Sequence, residues 1–66
     1  MEIQVNGEAV QIAAGESVGS YLRACGMEAN RVVVEYNGAV LPRESWETAQ
    51  LAAHDRLEIV QFVGGG

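Results

Sequence analysis

The chain has 66 residues, with nine acidic side chains against four arginines, one cysteine, one histidine and a net charge of −5. A chain this short buries only about 60% of the surface its unfolded form exposes, and a lone cysteine excludes an internal disulfide, so a regular core has to hold the fold. The acidic balance speaks against nucleic acid and anionic membrane, both of which recruit basic surfaces, and favours a basic protein partner.

Residues Glu2 to Asn6 alternate, with Met1, Ile3 and Val5 on one side and Glu2 and Gln4 on the other, the period of a half-buried strand. Asn6-Gly7 then supplies the positive φ values of a tight hairpin turn, and the strand returns through Val10 and Ile12. Ala13-Ala14-Gly15 breaks the alternation, and Ser17 is placed to cap a helix from about Val18 to Cys25. Glu16 and Arg23 suit the two ends of its dipole, and Gly26 suits the residue just beyond its end. Val18, Leu22 and Cys25 share one stripe, with Tyr21 at its edge. Gly19 and Ser20 are poor helix formers, so tertiary packing has to hold this helix.

Arg31 to Tyr36 is dense in β-branched residues and ends at a second hairpin signal, Asn37-Gly38, which leads into Ala39, Val40 and Leu41. Pro42 ends that pairing because it has no N–H to give to a ladder. Arg43 to Ala53 reads as an irregular connection with a helical turn, anchored by Trp46 and Leu51. His54-Asp55 forms the turn before a last strand, Leu57 to about Phe62.

Hairpin, helix, hairpin, crossover and final strand leave room for one helix only. The economical fold is α+β, one mixed sheet of about four to five strands packed against that helix, the β-grasp arrangement. In it the first and last strands lie parallel in the middle, so the chain leaves from the centre of the sheet. The expected division is a β-grasp domain over 1–63 and a glycine tail over 64–66.

Period-two alternation puts Leu57 and Ile59 inward and Glu58, Val60 and Phe62 outward, and on the third strand Val32, Val34 and Tyr36 inward and Val33 and Glu35 outward. Val33, Val60 and Phe62 are therefore expected to form an exposed apolar patch that binds a partner. The competing arrangement covers them by edge packing or with the crossover loop. Glu35, Glu44, Glu47 and Glu58 read as a solvated acidic face that also steers a basic partner.

The other reactive side chains read as structural. Cys25 falls on the packed stripe, near the negative end of the helix dipole that disfavours a thiolate, and is expected in the core. His54 has no triad or metal partner at a recognisable spacing and reads as a solvated turn residue. No metal site is expected. Trp46 reads as a lid on a small core, and Arg43 either meets a carboxylate or steadies the crossover. The absence of lysine fits arginine-rich codon usage, and equally a carrier that gains by having no ε-amine to attack its own activated end.

Asn37-Gly38, Pro42-Arg43, Trp46, Leu51 and the run from Asp55-Arg56-Leu57 through Val63-Gly64-Gly65-Gly66 resemble the ThiS family, ubiquitin-like sulfur carriers of thiamine biosynthesis. Asn6-Gly7 and Ala14-Gly15-Glu16-Ser17 extend the resemblance over the whole chain. It implies a cytoplasmic protein that is a cosubstrate rather than an enzyme and binds no cofactor of its own. An E1-like adenylyltransferase would use ATP and magnesium to adenylate Gly66. A persulfide sulfur donor would convert the adenylate to a thiocarboxylate, and thiazole synthase would take the sulfur. On this reading Gly66 carries the chemistry, Gly64 and Gly65 give passage into narrow sites, and Val33, Glu58, Val60, Phe62 and Val63 contact partners. The leader-free start at Met1 agrees with the cytoplasm. A molybdopterin-synthase small subunit and a ubiquitin-like modifier or plain interaction module are the competing assignments.

Overall fold

The structure is a computed structural model and describes residues 1–62. Five strands, β1 (Glu2–Val5), β2 (Glu8–Gln11), β3 (Val32–Tyr36), β4 (Ala39–Val40) and β5 (Arg56–Gln61), form one sheet in the order β2-β1-β5-β3-β4. Helix α1 (Val18–Ala24) lies between the two hairpins. β1 and β5 run parallel and the remaining neighbours antiparallel, so the last strand occupies the middle. This is the expected β-grasp arrangement. Among the described residues no helix is long and apolar enough to cross a membrane.

Both Asn-Gly pairs make the turns that join their hairpins, with φ of 51° and 83° at Asn6 and Gly7 and 50° and 90° at Asn37 and Gly38. Such paired left-handed residues match the twist of the flanking strands. The asparagines also finish ladders with their side chains. Asn6 Oδ1 accepts the Ile59 N–H at 2.7 Å while its Nδ2 donates to the Ile59 carbonyl at 3.3 Å. Asn37 Oδ1 accepts the Arg56 N–H at 2.8 Å. The centre strand is thus held by one asparagine on each side.

Helix α1 opens with a reciprocal cap, Ser17 Oγ accepting the Ser20 N–H at 3.0 Å and Ser20 Oγ accepting the Ser17 N–H at 2.9 Å. Ser20 offsets its low helix propensity by closing this cap. Glu16 contributes through its side chain, which accepts the Ser20 hydroxyl. At the other end Gly26, at φ 75°, donates to the Arg23 carbonyl, and Met27 N–H reaches back to that of Leu22. These are the two bonds of a Schellman stop.

Cys25, just before that stop, lies outside the core. The helix ends at Ala24, and Cys25 caps it as an exposed free thiol. The buried stripe is Val18, Gly19 and Leu22, and the half-buried Met27 packs against the core after the chain has reversed. The expectation of a core cysteine is thereby overturned: Cys25 keeps its helical position, its N–H on the Tyr21 carbonyl at 3.1 Å, but burial along this stripe ends at Leu22.

Ile3, Val18, Leu22, Val32, Val34, Trp46, Leu51, Leu57 and Ile59 make the core, the alternating residues of β1, β3 and β5 meeting the helix stripe. Trp46 and Leu51 anchor the crossover as expected. The indole N–H donates to the Leu41 carbonyl at 3.0 Å, Gly19 N–H donates to the Trp46 carbonyl at 2.9 Å, and Leu51 N–H to that of Glu16 at 2.9 Å. A 3₁₀ turn, Arg43–Ser45, supplies the helical turn, and a second, Ala29–Arg31, takes in Arg31, so that β3 begins one residue later than expected.

Candidate docking face and C-terminal strand

The candidate site is the sheet face turned away from α1, together with the end of β5. Pairing of β3 with β5 places Val33 opposite Val60 and Glu35 opposite Glu58. Val60 is 56% exposed, Phe62 51% and Val33 36%. The three expected apolar residues therefore lie uncovered, with Phe62 fixed by its N–H to the Arg31 carbonyl at 2.7 Å. Val40 extends the apolar surface, 65% exposed beside Glu35 across the β3–β4 ladder. Sequence reasoning passed over Val40, although counting in twos from the Asn37-Gly38 turn puts it outward.

Glu35 and Glu58 stand side by side across the ladder, where like charges repel. The four expected acidic residues are all exposed, but they do not form one face. Glu47 pairs with Arg23 on the helix side, and Glu44 lies in the crossover turn. Only Glu35 and Glu58 border the apolar patch.

The root of β5 is fixed by a compact polar cluster. The Asp55 carboxylate accepts the Tyr36 hydroxyl, the Asn37 Nδ2 at 3.2 Å and the Ala52 N–H at 2.8 Å. Partial burial alone would raise this carboxyl, but the three donors outweigh it and hold Asp55 below its ordinary value. The reciprocal effect, with some burial, pushes Tyr36 up to about 12. Nothing in the sequence spacing singles out this pair, because Tyr36 and Asp55 meet only through the β3–β5 register.

His54 is an exposed turn residue at φ 71°, its N–H bound to the Glu2 carbonyl at 2.7 Å. Among the described residues no three His, Cys, Asp or Glu side chains are grouped as a metal site requires. Arg43 meets no carboxylate among the described residues. The expectations for Val63, Gly64, Gly65 and Gly66 lie outside the described residues.

A sequence model of the ThiS family matches residues 3–66. The chain is 35% identical over its whole length to part of a thiazole synthase from Paramagnetospirillum magneticum, and spans 20% of that protein. It is 29% identical to the sulfur carrier protein ThiS of Escherichia coli, with 100% of both chains covered. Among solved structures, the crystal structure of the thiamine biosynthesis protein ThiS from Geobacter metallireducens matches with a TM-score of 0.84 at 35% identity, again over 100% of both chains.

Proposed function

This chain belongs to the ThiS family, and from that premise we propose that it carries sulfur for thiamine biosynthesis on the carboxylate of Gly66. The observation that supports the reading best is that the family match runs through the glycines, to residue 66. A carboxylate is a poor electrophile. Attack of the Gly66 carboxylate on the α-phosphate of magnesium-bound ATP, in the site of an E1-like adenylyltransferase, gives an acyl adenylate and pyrophosphate. The terminal sulfur of a persulfide then displaces AMP at the acyl carbon, and a thiol cleaves the S–S bond to leave the thiocarboxylate. Thiazole synthase takes the sulfur from it.

The chain's own contribution is presentation. Glycine has no Cβ, so it passes narrow channels and places no side chain near the reacting carbonyl. Gly64 to Gly66 extended reach about 10 Å, at roughly 3.3–3.6 Å per residue. Val33, Val60, Phe62 and Val63 with Glu58 would hold the partner while the terminus enters its site. The relatives in which this domain forms a fifth of a thiazole synthase favour that enzyme as the acceptor, since carrier and acceptor there share one polypeptide.

Intact-mass spectrometry of the protein from thiamine-starved cells tests the assignment. The expected result is a fraction with one oxygen replaced by sulfur, localised to Gly66. A free acid throughout, in the presence of ATP and the activating partner, overturns it, and isopeptide adducts alone would make the chain a protein modifier.

A further inference from the structure

A cleft of about 260 Å³ opens at the outer edge of β3, away from the centre of the sheet. Val40, Leu41, Pro42, Trp46 and Phe62 form its apolar walls, and Arg43 is the charged group among its lining residues. The cleft exists because β4 is only two residues long. Leu41 N–H still reaches the Val34 carbonyl at 2.9 Å, but the next residue is Pro42, and the chain turns away into the 3₁₀ turn.

The β3 edge is left unfinished at Val32. In the β3–β5 ladder, Phe62 N–H bonds the Arg31 carbonyl and Asn37 N–H that of Arg56, so the odd-numbered residues of β3 turn their backbone groups toward β5. The even-numbered ones, Val32 among them, turn theirs to the other side. Among the described residues β4 pairs only with Glu35 and Tyr36, and outside the strand ladders no hydrogen bond reaches either backbone group of Val32, which is 6% exposed and lines the cleft. Arg43 likewise forms no ion pair or side-chain hydrogen bond among the described residues, a state it shares with Arg56, whereas Arg23 and Arg31 are paired with Glu47 and Glu28; of the two unpaired arginines only Arg43 lines the cleft.

We propose that this cleft takes an extended segment of a partner protein, which adds to β3 through the backbone of Val32, seats an aliphatic side chain on Trp46 and Pro42, and sets a carboxylate on Arg43. An open strand edge beside side-chain pockets is the geometry of strand addition, in which the backbone gives affinity and alternate side chains give specificity. Charge complementarity fixes the occupant. A cation left unpaired in a cleft without acidic lining selects a single carboxylate locally, while the chain's net charge of −5 disfavours a strongly acidic stretch. Val33 and Phe62 also line the cleft, so the segment would extend an interface on the adjoining sheet face around the edge. The proposal does not depend on sulfur carriage.

The test is a titration of the ¹⁵N-labelled full chain with acetyl-Thr-Val-Thr-Asp-amide and with its Asn counterpart, followed by NMR. We expect saturable shifts centred on the Val32 amide and the Trp46 indole. The Asp peptide should bind roughly two- to fivefold more tightly, the value of an exposed ion pair. In Arg43→Gln, a change on an exposed side chain whose fold the same spectrum checks, the two peptides should bind equally. Absence of saturable shifts, shifts centred on Glu58 and Val60, equal binding of both peptides to the parent chain, or a preference that survives Arg43→Gln would each overturn the proposal. None of these readouts involves activation of Gly66, so the carrier assignment stands or falls separately.

Discussion

Asp55 is where the crossover becomes β5, and its carboxylate ties three separate segments together through Tyr36, Asn37 and Ala52. A carboxyl lowered in the folded state binds its proton more weakly there than in the unfolded chain. Its contribution to stability is therefore complete above the ordinary carboxylate range and is lost as the pH falls through the lowered value. Tyr36 works in the opposite sense. Raised to about 12, it contributes stability that is complete below the ordinary tyrosine value near 10 and is lost between about 10 and 12. Thermal melts as a function of pH check both limbs. Asp55→Asn should flatten the acid limb, and Tyr36→Phe should shrink the alkaline one, to which Tyr21, pushed up to about 12 chiefly by burial, also contributes. At neutral pH Tyr36→Phe should cost about 1 kcal/mol, the worth of a partly exposed hydrogen bond. An alkaline limb unchanged in Tyr36→Phe would show that other groups govern it.

At the scale of elements, α1 owes its length to its two ends. Seven residues are too few to hold a helix by propensity, so the Ser17–Ser20 cap and the Gly26 stop set its limits while Val18 and Leu22 bury one side. Gly26→Ala forces a Cβ into the left-handed region, and we expect a loss of about 1–2 kcal/mol in urea denaturation. Cys25→Ala, one residue earlier but exposed, should stay within about 0.5 kcal/mol. A large loss in the cysteine variant would mean that Cys25 packs after all. The same pair of residues shows what the sequence discloses. Hairpins, caps and strand faces follow from local chemistry, so Asn6-Gly7, Asn37-Gly38, Ser17, Gly26 and the inward set Ile3, Val34, Leu57 and Ile59 were legible. Cys25 stands on the stripe that periodicity assigns it and is exposed all the same, because periodicity alone does not say how far along the helix the core extends. The Asn6 clamp on Ile59 and the Tyr36–Asp55 bond were hidden, since each depends on a pairing register between residues far apart in the chain.

At the scale of the whole molecule, the sheet divides the work between its faces: one closes the core on α1, and the other leaves Val33, Val40, Val60 and Phe62 open around the last strand. Alternation disclosed most of this exposed apolar face, while its acidic border shrank to Glu35 and Glu58. Those two sit opposite each other at a cost to the fold, so replacing one should stabilise the isolated chain by a few tenths of a kcal/mol to about 1. If the face docks the activating partner, the two kinds of residue act at different steps. Acidic groups steer the encounter, and apolar groups hold the complex. Glu58→Gln should therefore lower the association rate and weaken its dependence on salt, with little change in dissociation. Val60→Ala combined with Phe62→Ala should leave association nearly unchanged and speed dissociation at least tenfold, as loss of a central apolar contact does. In the activation assay the double variant should raise KM and keep kcat, because the contacts it removes are made equally in ground and transition states. Surface-binding kinetics with the activating partner at two salt concentrations read all of these. Unchanged kinetics in both variants would move the docking site off this face.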